Sequence, residues 1–285
     1  MVSVAVDWSQ FNAHRKAVVE STGQYLALLD ENGHPICDLP SPSEMQAPRE
    51  RNAASSLQVT FPVSTVDGGV HPVARALVDD TIGLEPSGAI TPTPKTRFVL
   101  VDRPGSSWCY RVAQRMATGP SDRLREITLH GVDVVSFLQQ LPAPTQPAKW
   151  KQTTFHTFEK DWLAVTNQQA KFKQPRDIAE VDFYDSYLSD QVISGRADEA
   201  IARVIRESVD SVTKLVGVTP SPFSVTVTKS GTTVDQILIK PDDGFLWDLI
   251  MPRATAAGVD VTASMVFPGS TGEPVINFDV KARKQ

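Results

Sequence analysis

Apolar residues change their spacing inside a single run, residues 125–141, and the change divides that run into a strand and a helix. Ile127 and Leu129 alternate with Thr128 and His130, the period of a half-buried strand. From Val134 the interval lengthens. Val134, Val135, Leu138 and Leu141 recur at helical spacing, with Asp133 placed to cap the segment and Pro142 to stop it. Gly131 stands between the two periods and is read as the turn joining them.

Upstream, residues 98–102 read as a buried strand and 108–115 as its partner, returning across Pro104-Gly105. Downstream, the clearest element is a helix over 198–216. Ile201, Val204, Ile205, Val209, Val212 and Val216 form one face, Glu199, Arg203, Arg206, Glu207 and Asp210 the other, and Gly217 closes it. Its β-branched face has mediocre helix propensity, so packing must hold it, as core or as a subunit contact. Residues 223–228, 259–265 and 275–280 alternate as strands, the last two joined by a turn over 267–273. Residues 244–257 read as a helix kinked by Pro252, with Asp242-Asp243-Gly244 as its cap.

The fold class is therefore α+β, mainly β. Proline-rich stretches at 41–48, 91–94, 142–147 and 220–222 mark seams, and the third is read as the domain boundary. This gives a first β domain over 1–145, an irregular insertion or linker over 146–195, and a second helix-plus-β domain over 196–285.

The order of strand, turn, strand, loop, strand, Gly131-Val132-Asp133 and helix resembles the hub, or tail-associated, minor tail proteins of long-tailed phages of actinobacteria. Val132 stands where that family often has arginine, which removes any role for a charge there. The hairpin at 25–39, the strand at 56–63 and the helices at 197–206 and 244–250 resemble further parts of such hubs, so the likeness runs along most of the chain. It implies two tail-tube-like β-barrel or sandwich domains with flanking helices. It also implies a structural virion protein at the tail tip or baseplate, assembled in the host cytoplasm. Its subunits would form a homotrimer ring at the distal end of the tail tube, adapting sixfold to threefold symmetry and letting DNA through. The implied partners are further copies of the chain, the distal tail or tube protein, the tape measure and other tail-tip proteins.

Composition narrows the other classes. A length of 285 residues suits two ordinary domains, and 21% charged residues beside 41% hydrophobic ones exclude a disordered chain. With 28 basic against 33 acidic side chains, the net charge of −5 argues against binding by phosphate neutralisation, so DNA is expected to pass transiently without specific binding. No apolar run reaches the roughly 20 residues of a membrane span, and residues 1–8 lack the basic start and apolar core of a signal peptide. No membrane partner is expected.

Catalytic patterns are sparse. His14, His34, His71, His130 and His156 form no helix-borne metal pair. Cys37 and Cys109 fall inside predicted strands and read as buried free thiols rather than nucleophiles. Nucleotide-binding glycine loops and nucleophile elbows are absent. Asp79-Asp80 reads as a solvated or capping pair. No catalytic, cofactor-binding or metal residue is assigned, and a non-enzyme is expected.

Two alternatives draw on other features. A tail-tip cell-wall hydrolase or carbohydrate-binding component would use Asp161 with Asp182 or Asp185, and aromatic stacking, in the patternless stretch 149–193. A β-rich binding module would carry a small-molecule pocket. Lys149, Lys151, Lys160, Lys171 and Lys173 among aromatic residues suggest strand binding, but Asp161, Asp177, Glu180, Asp182 and Asp185 largely cancel their charge.

Overall fold

Residues 6–64, 69–78, 95–120, 124–145, 152–158, 176–184, 192–231 and 233–283 are described by the computed structural model. In chain order the elements are α1 (Trp8–Thr22), β1 (Tyr25–Leu29), β2 (Pro35–Asp38), β3 (Glu44–Gln46), β4 (Ser56–Pro62), α2 (Pro72–Val78), β5 (Phe98–Arg103), β6 (Ser106–Thr118) and β7 (Glu126–Asp133). A 3-10 helix (Val134–Gln139) follows, then β8 (Gln152–Phe158), β9 (Arg176–Tyr184), β10 (Ile193–Arg196), α3 (Ala197–Val216), β11 (Phe223–Thr228), β12 (Gln236–Ile239), α4 (Leu246–Ala256), β13 (Val259–Val266) and β14 (Val275–Ala282). The protein is α+β, mainly β, with helices flanking the sheets.

Seven strands form one antiparallel sheet in the order β2-β1-β5-β6-β7-β4-β3. Its two outermost strands, β2 and β3, are joined by residues 39–43 alone. Six steps of extended chain reach about 20 Å, whereas a flat seven-stranded sheet spans about 29 Å between its outer strands. The sheet therefore has to curl. Leu39 N donates to Leu26 O and Ser43 N to Thr60 O, so the link is tied to β1 at one end and to β4 at the other. The curl does not close into a barrel, because among the described residues β2 pairs with β1 alone and β3 with β4 alone.

Strand alternation gives this sheet two cores. Leu26 and Leu28 of β1, Leu57, Val59 and Phe61 of β4, Val99 and Val101 of β5, and Ile127 and Leu129 of β7 gather on the inner face with Val73, Ala74 and Leu77 of α2. Tyr25, Ala27, Leu29, Phe98, Leu100 and Cys109 point the other way, into a second core shared with α1, the 3-10 helix, α3, α4 and the sheet β11-β14-β13. Every residue of β1 is buried because both of its faces are covered. The second core joins side chains from residues 8–143 with side chains from 193–280.

Residues 125–141 depart from the expected turn. Gly131 lies inside β7, paired with Leu57 of β4 and Val112 of β6. The β6–β7 register shifts between Val112 and Gln114, a bulge that brings β6 close. A Cβ on Gly131 would stand 3.1 Å from Tyr110 Cβ and 3.2 Å from Arg111 O, so the glycine serves close approach rather than reversal. The helix after it is a single 3-10 segment, capped as expected by Asp133, whose side chain accepts from Val135 N at 3.0 Å. Burial pushes the Asp133 carboxyl up to about 6, against the opposing pull of the Val135 amide and the Arg49 charge.

In α3, Ile201, Val204, Ile205 and Val209 are buried core, but Val216 is 66% exposed, so the apolar stripe outruns its covering. Strand β11 joins β14 in parallel, a crossover that alternation alone does not reveal. Asp242 and Asp243 do not cap α4, whose N-cap is Phe245. Asp242 Oδ1 instead accepts from Gly244 N, while the Asp243 carboxylate takes Thr145 N at 2.8 Å and Thr145 Oγ1 at 3.2 Å. Residues 141–145 are tied to 243–246 by further backbone bonds, among them Ala143 N to Gly244 O and Leu246 N to Leu141 O. In the stretch with no steady period, β8 and β9 pair as an antiparallel ribbon.

Candidate functional site

Helix α1, absent from the sequence reading, lies across the turn between β13 and β14. Asp7 caps it by accepting from Gln10 N, and Trp8 and Phe11 form its buried face. Trp8 Nε1 donates to Gly272 O at 3.0 Å and Asn12 Nδ2 to Pro268 O at 2.8 Å. The Arg15 guanidinium sits 4.4 Å from the centre of the Phe267 ring, and its Nε donates to Asp102 Oδ2 at 2.8 Å. Both members of that ion pair are largely buried, with side chains 16% and 8% exposed.

The β1–β2 turn meets the same hairpin from another side. Asp30 Oδ1 accepts from Asn32 N and His34 N, which folds the turn. Gly33 has φ +84, and a Cβ there would meet Met265 Sδ at 2.6 Å and Pro274 Cβ at 3.0 Å. This close seat brings His34 beside Glu273, with Nε2 to Oε2 at 2.5 Å, while Nδ1 lies 3.7 Å from Asp30 Oδ2. A cleft of about 470 Å³ opens next to them, lined by Glu31, His34, Phe98, Pro222, Met265 and Glu273. Burial raises the Glu31 carboxyl, but its own backbone bond and the Lys95 and Arg97 charges outweigh that and hold it below the usual range.

A second imidazole pair lies on the flank of α1. His14 Nε2 is 2.6 Å from Asp38 Oδ2, and Asp38 Oδ1 accepts from Tyr25 OH at 2.6 Å. Burial first, then the Asp38 carboxylate, push the Tyr25 phenol far above its usual range, so it remains a donor. Each carboxylate orients an imidazole as a general base would require. Among the described residues, however, no hydroxyl or thiol hydrogen-bonds to either ring. Cys37 in β2 is pushed up to about 11 by burial and by Asp38, and Cys109 in β6 is raised further by complete burial. Both are free thiols, held in the protonated form that is a poor nucleophile. No cluster of three His, Cys, Asp or Glu side chains that could hold a metal ion occurs among the described residues.

Among the other residues weighed from sequence, His71 Nδ1 accepts from Val73 N at the start of α2, and His130 lies in β7. Asp79, Asp80, Asp161, Asp185 and Lys149, Lys151, Lys160, Lys171 and Lys173 lie outside the described residues. His156 and Asp182 fall in β8 and β9. The two imidazole–carboxylate pairs had no sequence signal, since His34 and Glu273 are 239 residues apart.

The surface carries a different kind of feature. Among the described residues, strands β2 and β3 leave an edge of the curled sheet unpaired at either end. Leu215 is 55% and Val216 66% exposed at the end of α3, and Leu238 63% and Phe245 59% exposed in and after β12. Among the described residues no helix is long and apolar enough to cross a membrane.

No protein-family model matches the chain, and no curated protein matches it in sequence. Among solved structures, the chain is similar to the tail protein from Neisseria meningitidis MC58, at 13% sequence identity and a TM-score of 0.35. The match covers 90% of this chain and 50% of that protein, so the chain spans about half its length.

Proposed function

We propose that the chain is a structural subunit of a phage tail: a hub, or minor tail protein, that forms a homotrimer ring at the distal end of the tail tube. The observation that carries this reading is the surface just described. A curled sheet with two unpaired edges, together with large aliphatic and aromatic side chains more than half exposed, is costly in an isolated subunit and useful in a closed assembly. The resemblance along residues 25–39, 56–63, 98–102, 108–115, 125–141, 197–206 and 244–250 gives the assembly its kind. On this reading the chain is not an enzyme, its partners are its own copies and the neighbouring tail proteins, and DNA passes through without specific contacts. The net charge of −5 suits such a passage, because acidic walls repel a duplex.

Light scattering on a sizing column across a concentration series, with negative-stain imaging of the largest species, tests this. The expected species is a threefold ring with a central opening. A monomer at every concentration, together with clearing of purified cell wall on a zymogram, would replace the hub by the hydrolase reading.

A further inference from the structure

We propose that Asn32 is a site of spontaneous modification, deamidation through Gly33, which the seated β1–β2 turn holds back and whose isoaspartyl product cannot take up that seat. The inference is independent of the tail reading. Among Asn12, Asn32, Asn52, Asn167 and Asn277, Asn32 alone is followed by glycine. A Cβ on the following residue crowds the attack of its backbone nitrogen on the asparagine side chain, and glycine has none. Asn32 is exposed, and among the described residues nothing hydrogen-bonds to its carboxamide. In the reaction Gly33 N loses its proton and bonds to Asn32 Cγ, and the side-chain nitrogen leaves as ammonia. Water then opens the cyclic imide at either carbonyl. One opening gives aspartate. The other gives isoaspartate, in which the main chain runs through Cβ and Cγ and is longer by a single carbon.

The turn opposes the first step. Asp30 holds three successive amides: Asn32 N and His34 N donate to its Oδ1, each at 2.8 Å, and Gly33 N donates to its backbone O at 3.1 Å. Gly33 N must give up that bond before it can reach Cγ. The turn has no room to shift as a unit, because Gly33 rests on Met265 and Pro274, where even a Cβ would stand 2.6 Å from Met265 Sδ. The same fit rejects the product. An added main-chain carbon between Asn32 Cα and Gly33 N cannot be absorbed with all three amides on Asp30 and Gly33 still against Pro274.

Peptide mass spectrometry with isoaspartyl methyltransferase labelling reads the rate at Asn32 in the full chain, kept in mildly alkaline buffer either folded or unfolded by guanidinium chloride. The folded chain is expected to react at least about tenfold more slowly, the protection of a local opening. Asp30→Ala removes two of the three amide bonds and leaves the reacting groups in place, so its folded rate should rise about threefold to tenfold. Unaltered exchange of β7 amides in that variant separates a loosened turn from a lost fold. In folded chains carrying isoaspartate at Asn32, the His34 amide should exchange about tenfold faster than in the native chain. Equal rates folded and unfolded, no reaction at Asn32 in the unfolded chain, or an unchanged rate in folded Asp30→Ala would overturn the site. Native protection of the His34 amide in the isoaspartyl chain would overturn the claim that the product cannot seat.

Discussion

The carboxamide of Asn52 stands in for a missing strand beside Val261. Its Oδ1 accepts from Val261 N at 2.8 Å and its Nδ2 donates to Val259 O at 2.9 Å, the pair of bonds that a neighbouring strand would make to the free edge of β13. One side chain thus satisfies two backbone groups that would otherwise be left on an open edge. Nδ2 also donates to Thr255 Oγ1 at 3.1 Å, reaching the end of α4. Asn52 adopts φ +48, a left-handed conformation that asparagine tolerates better than most residues.

Replacement of Asn52 should separate these two contributions. Asn52→Gly keeps the backbone conformation and removes the bonds, and is expected to lower stability by about 1–2 kcal/mol. Asn52→Ala adds the left-handed penalty and should cost about 1 kcal/mol more. Urea unfolding of the two variants against the native chain gives both numbers, and equal losses would assign the whole effect to hydrogen bonding.

Asp133 sets a pH dependence of known sign. Its carboxyl is raised to about 6 in the folded chain against 3.8 ordinarily, so the folded state holds its proton over that interval more firmly than the unfolded state. Stability from the neutral acid is complete below the lower value and is lost as pH rises through the upper one. Asp133→Asn keeps an acceptor for Val135 N and removes the charge. It should be more stable than the native chain by on the order of 2 kcal/mol at pH 7.5, with the gap closing towards pH 4. Thermal melts across that range check this, and a gap that is constant with pH would exclude Asp133 as its source.

How far these features can be read from sequence depends on how local they are. Strands β4, β7 and β13 have one buried face and alternate cleanly, so their period shows. Helix α3 was equally plain, with charges opposite its stripe. Helix α1 was missed because Trp8 and Phe11 are its only buried residues, too few for a visible stripe, although Asp7 before Trp8 is a cap signal. Strands β3, β10 and β12 have three or four residues each, too short for a period to appear. Gly131 fits a turn and a close strand crossing equally well until Tyr110 is placed against it. The Asn52–Val261 and His34–Glu273 contacts join residues more than 200 positions apart and depend on the assembled fold.

Gly131→Ala tests the close crossing. The added methyl would press on Tyr110 Cβ and on the Arg111 carbonyl, and a loss of about 1–3 kcal/mol is expected. Gly269→Ala is the control: a Cβ there meets nothing within 4 Å, so its effect should stay within about 0.5 kcal/mol. Calorimetric melts of both variants distinguish a packing effect from a general intolerance of alanine at glycine positions.

The Arg15–Asp102 pair should behave as a unit. Arg15→Met leaves the Asp102 carboxylate buried without its cation and is expected to cost about 3–5 kcal/mol. Adding Asp102→Leu should recover much of that loss, and a double-mutant cycle by urea unfolding measures the coupling. Arg15→Lys keeps the charge but loses the planar contact over Phe267, so it should fall between native and Arg15→Met.

Assembly can be tested at the exposed aliphatics. Leu238→Lys and Val216→Lys change residues that are 63% and 66% exposed, so monomer stability should move by less than about 0.5 kcal/mol. If these side chains are buried between subunits, the same changes should shift the mass measured by light scattering towards the monomer. Unchanged assembly in both variants would move the interface to the strand edges.

Helix α1 also dictates an order of events during synthesis. Trp8 and Asn12 bond to residues made 264 and 256 positions later, so the buried face of α1, though Phe11 meets Tyr25 early, stays partly uncovered until the β13–β14 turn has left the ribosome. At about 5–20 residues per second, that wait is roughly 10–50 s. Over that interval Trp8 and Phe11 lack the cover that the β13–β14 turn gives them. A truncation before residue 267 would make the condition permanent, and the damage would show first as protease cutting in α1, far in sequence from the missing segment.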